Sequence, residues 1–289
     1  MPGHWLRYGL LTTVAWGIWG AFIGLPSEHG FPDTLSYVVW ALTMIAPAAW
    51  AMRKTRLRLQ TDKRSLALGL AIGALGAGGQ LLLFHAVTVG PTYLIFPIIS
   101  LAPVVTIVLS LLLLGERTGR LGVAGIALAV MSLPLFDYSP EAVGIHHVGT
   151  WFYMALAVML AWGLQAYFIK LANATMSAES IFFYMMLTGL MFIPAAWILT
   201  DFTEPVYLGF KGPYLAAGIQ MLNAVGALLL VYAFRYGKAI VVSPLVNAAA
   251  PLLTAAISLT LAGALPGPYK LAGAALALTG ALLLSLQPE

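Results

Sequence analysis

The chain carries one pattern twice. Ala15-Trp16-Gly17, Pro47-Ala48-Ala49-Trp50, Leu81-Leu82-Leu83, Ala86, Gly90, Pro97 and Pro103 recur as Ala161-Trp162-Gly163, Pro194-Ala195-Ala196-Trp197, Leu228-Leu229-Leu230, Ala233, Gly237, Pro244 and Pro251, at offsets of 146 to 148. A chain built this way folds as two related units, the first over 1–137 and the second over 148–289. In a membrane protein, two such halves commonly frame a transport pathway.

Composition makes lipid the solvent. Of the residues, 61% are hydrophobic and 8% charged, and mean hydropathy is +0.93; a soluble domain carries about 25% charged residues. No soluble fold hides so much apolar surface. Zero cysteines exclude a disulfide framework and a thiolate metal site. The net charge of +4 is small and forms no basic stripe with interleaved aromatics, so no nucleic-acid partner is expected. The sequence lacks H-E-x-x-H, G-x-S-x-G and a P-loop, and no enzyme activity, cofactor or metal is expected from it. Asn173-Ala174-Thr175 matches a glycosylation pattern by chance, in a loop expected on the cytoplasmic side.

A helix needs about 20 apolar residues to cross the hydrocarbon. Ten such runs are predicted, at 6–25, 35–52, 66–89, 91–113, 119–136, 150–170, 179–200, 212–235, 239–261 and 267–286. The first is read as an uncleaved helix and not a signal peptide, because it aligns with the sixth and no small-x-small site follows. With the N-terminus in the cytoplasm, Arg7, the Arg53–Arg64 cluster, Arg117, Arg120, Lys170, Arg235 and Lys238 fall inside, and only Lys211 and Lys270 outside. That asymmetry puts both termini in the cytoplasm. Each repeat holds an odd number of spans, so the second runs upside down relative to the first. The expected fold is an all-α integral membrane protein of ten transmembrane helices, two inverted five-helix repeats around a central cavity.

Polar groups at membrane depth are few and therefore informative. Ser100 and Asn247 are repeat equivalents ahead of a proline; Gln80, Asn223 and Ser243 lie within the third, eighth and ninth spans; Gln165 replaces Trp19 in the second repeat. Trp16 and Trp162 are equivalents away from the interfacial belt, where Trp5 and Trp151 are expected. His85, whose counterpart is Tyr232, is a histidine within a span. Each residue has a packing role as its rival: amides glue helices, tryptophans fill cores, a lone histidine is often structural. As a set they read as a cavity lining. Pro97, Pro103, Pro244 and Pro251 are matched kink or hinge positions, whereas Pro47 and Pro194 read as packing. Gly20 and Gly24, Gly69 and Gly73, and Gly115 and Gly119 have small-xxx-small spacing for helix contact. No span holds an acidic residue near its centre; Glu116, Glu179 and Asp201 fall at helix ends.

Five plus five spans, Ala-Trp-Gly in the first and sixth, and Leu113-Leu114-Gly115-Glu116 closing the fourth resemble the drug/metabolite transporter superfamily, EamA-like branch, and within it the bacterial aromatic amino-acid exporter type. The second half departs from the pattern with Gly263-Ala264 in place of Gly-Glu. The resemblance implies a basket of ten helices, with the first, third, fourth, sixth, eighth and ninth lining the cavity and Trp162 on its wall. It implies a broad-specificity exporter of amino acids, aromatic ones included, and related small metabolites. The exporter would work by alternating access in the bacterial inner membrane, with monomers sufficient for transport and the bilayer as the other partner. Neutral amides and aromatic walls suit a zwitterion that must leave water. Other cargoes (drugs, nucleobases, further metabolites) and a non-transporting scaffold remain open alternatives.

Overall fold

The computed structural model describes residues 4–56, 58–90, 92–137, 149–263 and 267–286. Every regular element among them is helical. The first half comprises α1 (His4–Phe22), α2 (Leu25–Glu28), α3 (Asp33–Thr43), α4 (Ile45–Thr55), α5 (Lys63–Val89), α6 (Thr92–Ile99), α7 (Ala102–Leu113) and α8 (Arg120–Asp137). The second comprises α9 (Thr150–Ala172), α10 (Ala178–Met191), α11 (Ile193–Ile198), a π-type turn at Phe210–Tyr214 leading into α12 (Leu215–Tyr236), α13 (Ala239–Ala262) and α14 (Pro268–Ser285). Eight helical stretches are long and apolar enough to cross a membrane, and the shorter apolar helices α7, preceded by α6, and α8 complete ten. Leu112 and Ile198 are 75% and 80% exposed on the outside of the bundle. Side chains of that kind in that position require a hydrocarbon solvent.

Among the described residues, three spans are broken well inside their length, each just ahead of a proline. The second divides at Met44 before Pro47, the fourth at Ser100-Leu101 before Pro103, and the seventh at Phe192 before Pro194. Proline removes an N–H and clashes with the carbonyl four residues back, which explains the location. The matched interruptions therefore fall at Pro47 and Pro194, where packing alone was expected. Pro97 falls within α6, and Pro244 and Pro251 lie inside the continuous α13. The fourth and ninth spans thus differ in shape despite their matched prolines.

The halves exchange helices. α1 packs on α12 and α13, while its equivalent α9 packs on α5, α6 and α7; α8 pairs with α14. A two-fold relating inverted halves produces this reciprocity. Its detail is atomic. A Cβ on Gly226 would reach 2.5 Å from Trp16, and one on the equivalent Gly79 2.6 Å from Trp162. Trp16 Nε1 donates to Asn223 O (3.3 Å) and Trp162 Nε1 to Gly76 O (3.4 Å), again equivalent positions. Thr254 Oγ1 donates to Gly17 O and Thr106 Oγ1 to Gly163 O, both at 3.0 Å. At the two ends, Trp5 seats on Gly237 and Trp151 on Gly90. Glycine permits such approach, and an indole N–H in lipid needs an acceptor.

The predicted small-residue pairs divide. Gly20 meets Thr254, Gly69 meets Tyr184 and Gly73 meets Thr188, as helix contacts should. Gly24, Gly115 and Gly119 meet nothing within 4 Å. Gly115 instead has φ +64°, a left-handed turn after α7 that glycine adopts freely.

α5 begins at Asp62, whose side chain accepts from Ser65 N at 3.1 Å. Hydrogen bonds from the Ser65 hydroxyl and then from its backbone N–H hold the Asp62 carboxyl below the usual carboxylate range. In the same loop Gln60 accepts from Ser177 N at 2.7 Å and donates to Thr175 O at 3.2 Å, tying the first half to the second.

The reciprocal notches make a stability prediction. Gly79→Ala and Gly226→Ala should each destabilise the protein by about 1–3 kcal/mol through overpacking. Gly78→Ala, whose nearest neighbour would be Phe192 at 3.8 Å, should be neutral or gain up to about 1 kcal/mol of helix propensity. Thermal unfolding of the three variants in one detergent checks the contrast.

Candidate functional site

Trp19, Ile23, Tyr37, Trp40, Gln80, Gln220 and Asn223 surround a pocket within the bundle. Helix spacing assembles it: Trp19 and Ile23 are four apart, Tyr37 and Trp40 three apart, Gln220 and Asn223 three apart, so each pair shares a face. α1, α3, α5 and α12 supply the walls, joining both halves of the chain. Gln80 lies about 26 Å along α5 from Lys63, which places the pocket nearer the face opposite the basic loops.

Its polar groups are organised in pairs. Trp40 Nε1 donates to Asn223 Oδ1 and Trp19 Nε1 to Gln220 Oε1, each at 3.0 Å. Tyr37 Oη donates to Gly189 O at 3.1 Å. No charged side chain lines the pocket among the described residues. The space open to a water's centre is about 10 Å³, room for about one water molecule. The pocket is therefore nearly filled by its own side chains.

Of the residues read from the sequence, Trp19, Gln80 and Asn223 meet at this pocket. Trp16 lies beside it, bonded to the Asn223 carbonyl. Trp162 and Gln165 face α5 at Gly79 and Gly76. Ser100 is half-buried at the break in the fourth span, and His85 is exposed near the end of α5. Ser243 is buried in α13, and its carbonyl accepts from Asn247 Nδ2 at 2.9 Å. Tyr232 sits at the far end of α12, where it donates to the buried Glu179 and stacks on Tyr8. Among the described residues, no group of three His, Cys, Asp or Glu could hold a metal ion.

Tyr37, Trp40 and Gln220 were not foreseen. Gln220 carried a legible signal, being an amide one helical turn before Asn223. Tyr37 and Trp40 carried none, because the second span was not expected to line the cavity and α3 reaches the pocket through tertiary packing.

The symmetry is broken at this place. The equivalents of Trp19, Gln220 and Asn223 are Gln165, Gly73 and Gly76, and those glycines are filled by Thr188 and Gln165. A polar pocket on one side thus faces close packing on the other.

A second polar cluster lies at the basic face. Glu116 Oε2 accepts from Ile240 N at 3.0 Å, where α13 starts, and Glu116 stands 3.9 Å from Lys170 Nζ. Lys170 also donates to Phe234 O (3.0 Å) and Gly237 O (2.6 Å). This clasp joins the ends of α7, α9, α12 and α13. At the opposite face Gly24 stands for Lys170 and Gly263 follows α13; Ala264, the counterpart of Glu116, lies outside the described residues.

Comparison with known proteins agrees with the architecture. A solved crystal structure superposes with a TM-score of 0.80 over 97% of this chain and 98% of its own, at 16% identity, which speaks for the fold alone. An uncharacterized protein of Methanocaldococcus jannaschii is 26% identical over 131 residues, 45% of this chain and 94% of that protein. The match thus takes in nearly all of a relative that spans less than half of this chain. The EamA-like transporter family matches twice, over residues 4–136 and 149–286. With helices of membrane-spanning length and two interlocked five-span repeats, the chain belongs to the EamA-like transporter family, membrane transporters of small molecules.

Proposed function

We propose that this transporter exports amino acids, aromatic ones included, and related small metabolites across the bacterial inner membrane, with both termini in the cytoplasm. The observation that carries the reading is the pocket of three amides and three aromatic rings set between inverted halves. Amides offer neutral hydrogen bonds to a zwitterion leaving water. Indole and phenol rings offer apolar walls and a face for an ammonium. Neutral partners and flat walls tolerate many side chains, so specificity is broad. One monomer holds the whole pathway.

Alternating access assigns a role to the basic-face clasp. Opening there separates Glu116 and Lys170 from the α12–α13 turn, so the clasp favours the state closed on that side. At the opposite face the sequence places Gly24 and Ala264 at the equivalent positions, which cannot form such an ion pair.

Counterflow in proteoliposomes tests the substrate class. Preloaded unlabelled phenylalanine, tyrosine, leucine or threonine should each drive uptake of at least one labelled amino acid above empty vesicles, with and without a pH gradient. No exchange of any of them would reject the reading. The clasp has its own test in a chain that has no native cysteine. Ser243→Cys, one turn inside α13, should be labelled from the basic face several-fold faster when Glu116→Gln is added. An unchanged labelling rate would remove the clasp from gating.

A further inference from the structure

We propose that the pocket is polarised as a set of hydrogen-bond donors and selects its cargo by a carboxylate, with Trp19 and Trp40 as the positioning residues. This rests on the transport reading above and adds which end of the molecule is held.

The argument begins with the indoles. An indole N–H donates and never accepts. The amide atom 3.0 Å from Trp40 Nε1 must therefore be the Asn223 oxygen, and the atom 3.0 Å from Trp19 Nε1 the Gln220 oxygen. The orientation of these two amides follows from chemistry and not from an arbitrary choice between nitrogen and oxygen. Each oxygen keeps a second lone pair, but with the oxygen engaged by an indole the NH2 group is the part of each side chain left without a protein partner. Neither NH2 has a protein acceptor among the described residues, although Gln220 is only 5% exposed. The Gln80 amide, across the same gap, has no protein partner among them either. Tyr37 spends its O–H on Gly189 O. The Asn223 carbonyl, which would otherwise accept, already takes Trp16 Nε1.

A donor that faces a low-dielectric pocket without a protein acceptor gains from a ligand that supplies one. A carboxylate has two oxygens with about four lone-pair positions. Gln220 and Asn223 stand one helical turn apart, with Cβ atoms about 5–6 Å from each other, a span that two carboxylate oxygens can bridge. Charge assistance strengthens each bond. An ammonium is served less well: no acidic side chain lines the pocket, and the acceptors there are neutral amide and phenol oxygens. The α-ammonium of an amino acid is left to those neutral oxygens and to the ring faces of Trp19 and Trp40, a weaker hold than a carboxylate partner would give. The mirrored place in the other repeat has Gly73 and Gly76 and cannot compensate.

The test compares three molecules that share one side chain. The labelled amino acid that exchanges best in counterflow is competed with its 2-hydroxy acid, which keeps the carboxylate and loses the ammonium, and with its decarboxylated amine. The hydroxy acid should compete within a few-fold of the amino acid, and the amine at least tenfold more weakly. An amine that competes as well as the amino acid, with an inert hydroxy acid, overturns the donor assignment and leaves transport standing. Exchange of no amino acid overturns both together. Two substitutions probe the polarity itself. Trp40→Phe keeps a ring but frees the Asn223 amide to rotate, so the acid-to-amine preference should fall at least tenfold in a protein that still folds and exchanges the amino acid. Asn223→Asp places an acceptor where the NH2 stood and should reverse the preference towards the amine. A preference that neither variant moves would overturn the role given to the amides.

Discussion

The structure depends on an indole seated in a glycine notch of the opposite half. Trp16 on Gly226 and Trp162 on Gly79 are the same contact made twice, each closed by an N–H bond to the carbonyl three positions earlier in the notched helix. Apolar side chains gain nothing by leaving lipid for one another, so close approach and satisfied polar groups must hold the halves together. The notches provide both. They also explain the exchange of first helices: α1 and α9 carry the rings, and α12 and α5 carry the glycines. The contact needs a ring on one repeat and a notch on the other, so neither half completes its own packing.

Against that symmetric frame, the functional features lie where the repeats differ. Trp19, Gln220 and Asn223 form a polar pocket, whereas Gln165, Gly73 and Gly76 pack closed. Glu116 and Lys170 clasp the basic face, and Gly24 holds the lysine's place on the other. Pro103 follows a break within its span, and Pro251 lies in a continuous one. Duplication supplies one architecture twice; in the function proposed above, divergence decides which face is bolted and where cargo rests.

Most of the architecture was legible because hydropathy and repetition are properties of the chain itself. Ten spans and the pairing of the halves follow from run length and offset. Trp16 and Trp162 drew notice as equivalents, and their partners Gly226 and Gly79 are equivalents too. The site was legible only in part. Gln80, Asn223 and Trp19 stand out as polar or bulky groups in apolar runs. Tyr37 and Trp40 look like ordinary span residues until α3 is packed against α12. Tyr232 shows the converse: alignment with His85 suggested the cavity, but its position at the end of α12 puts it beside Glu179, away from the pocket. Sequence position along a helix fixes depth well, whereas the direction a side chain faces is set by neighbours that the repeat does not reveal.

The most direct test of the account is two-sided access to the pocket. A Gln80→Cys protein reconstituted in one orientation is exposed to a membrane-impermeant thiol reagent from each face in turn, with and without substrate. Labelling from the face opposite the basic loops without substrate, and from the basic face only when substrate drives turnover, is the predicted result. Labelling from both faces at once, or from neither under any condition, would contradict a pocket enclosed by two inverted halves that open alternately.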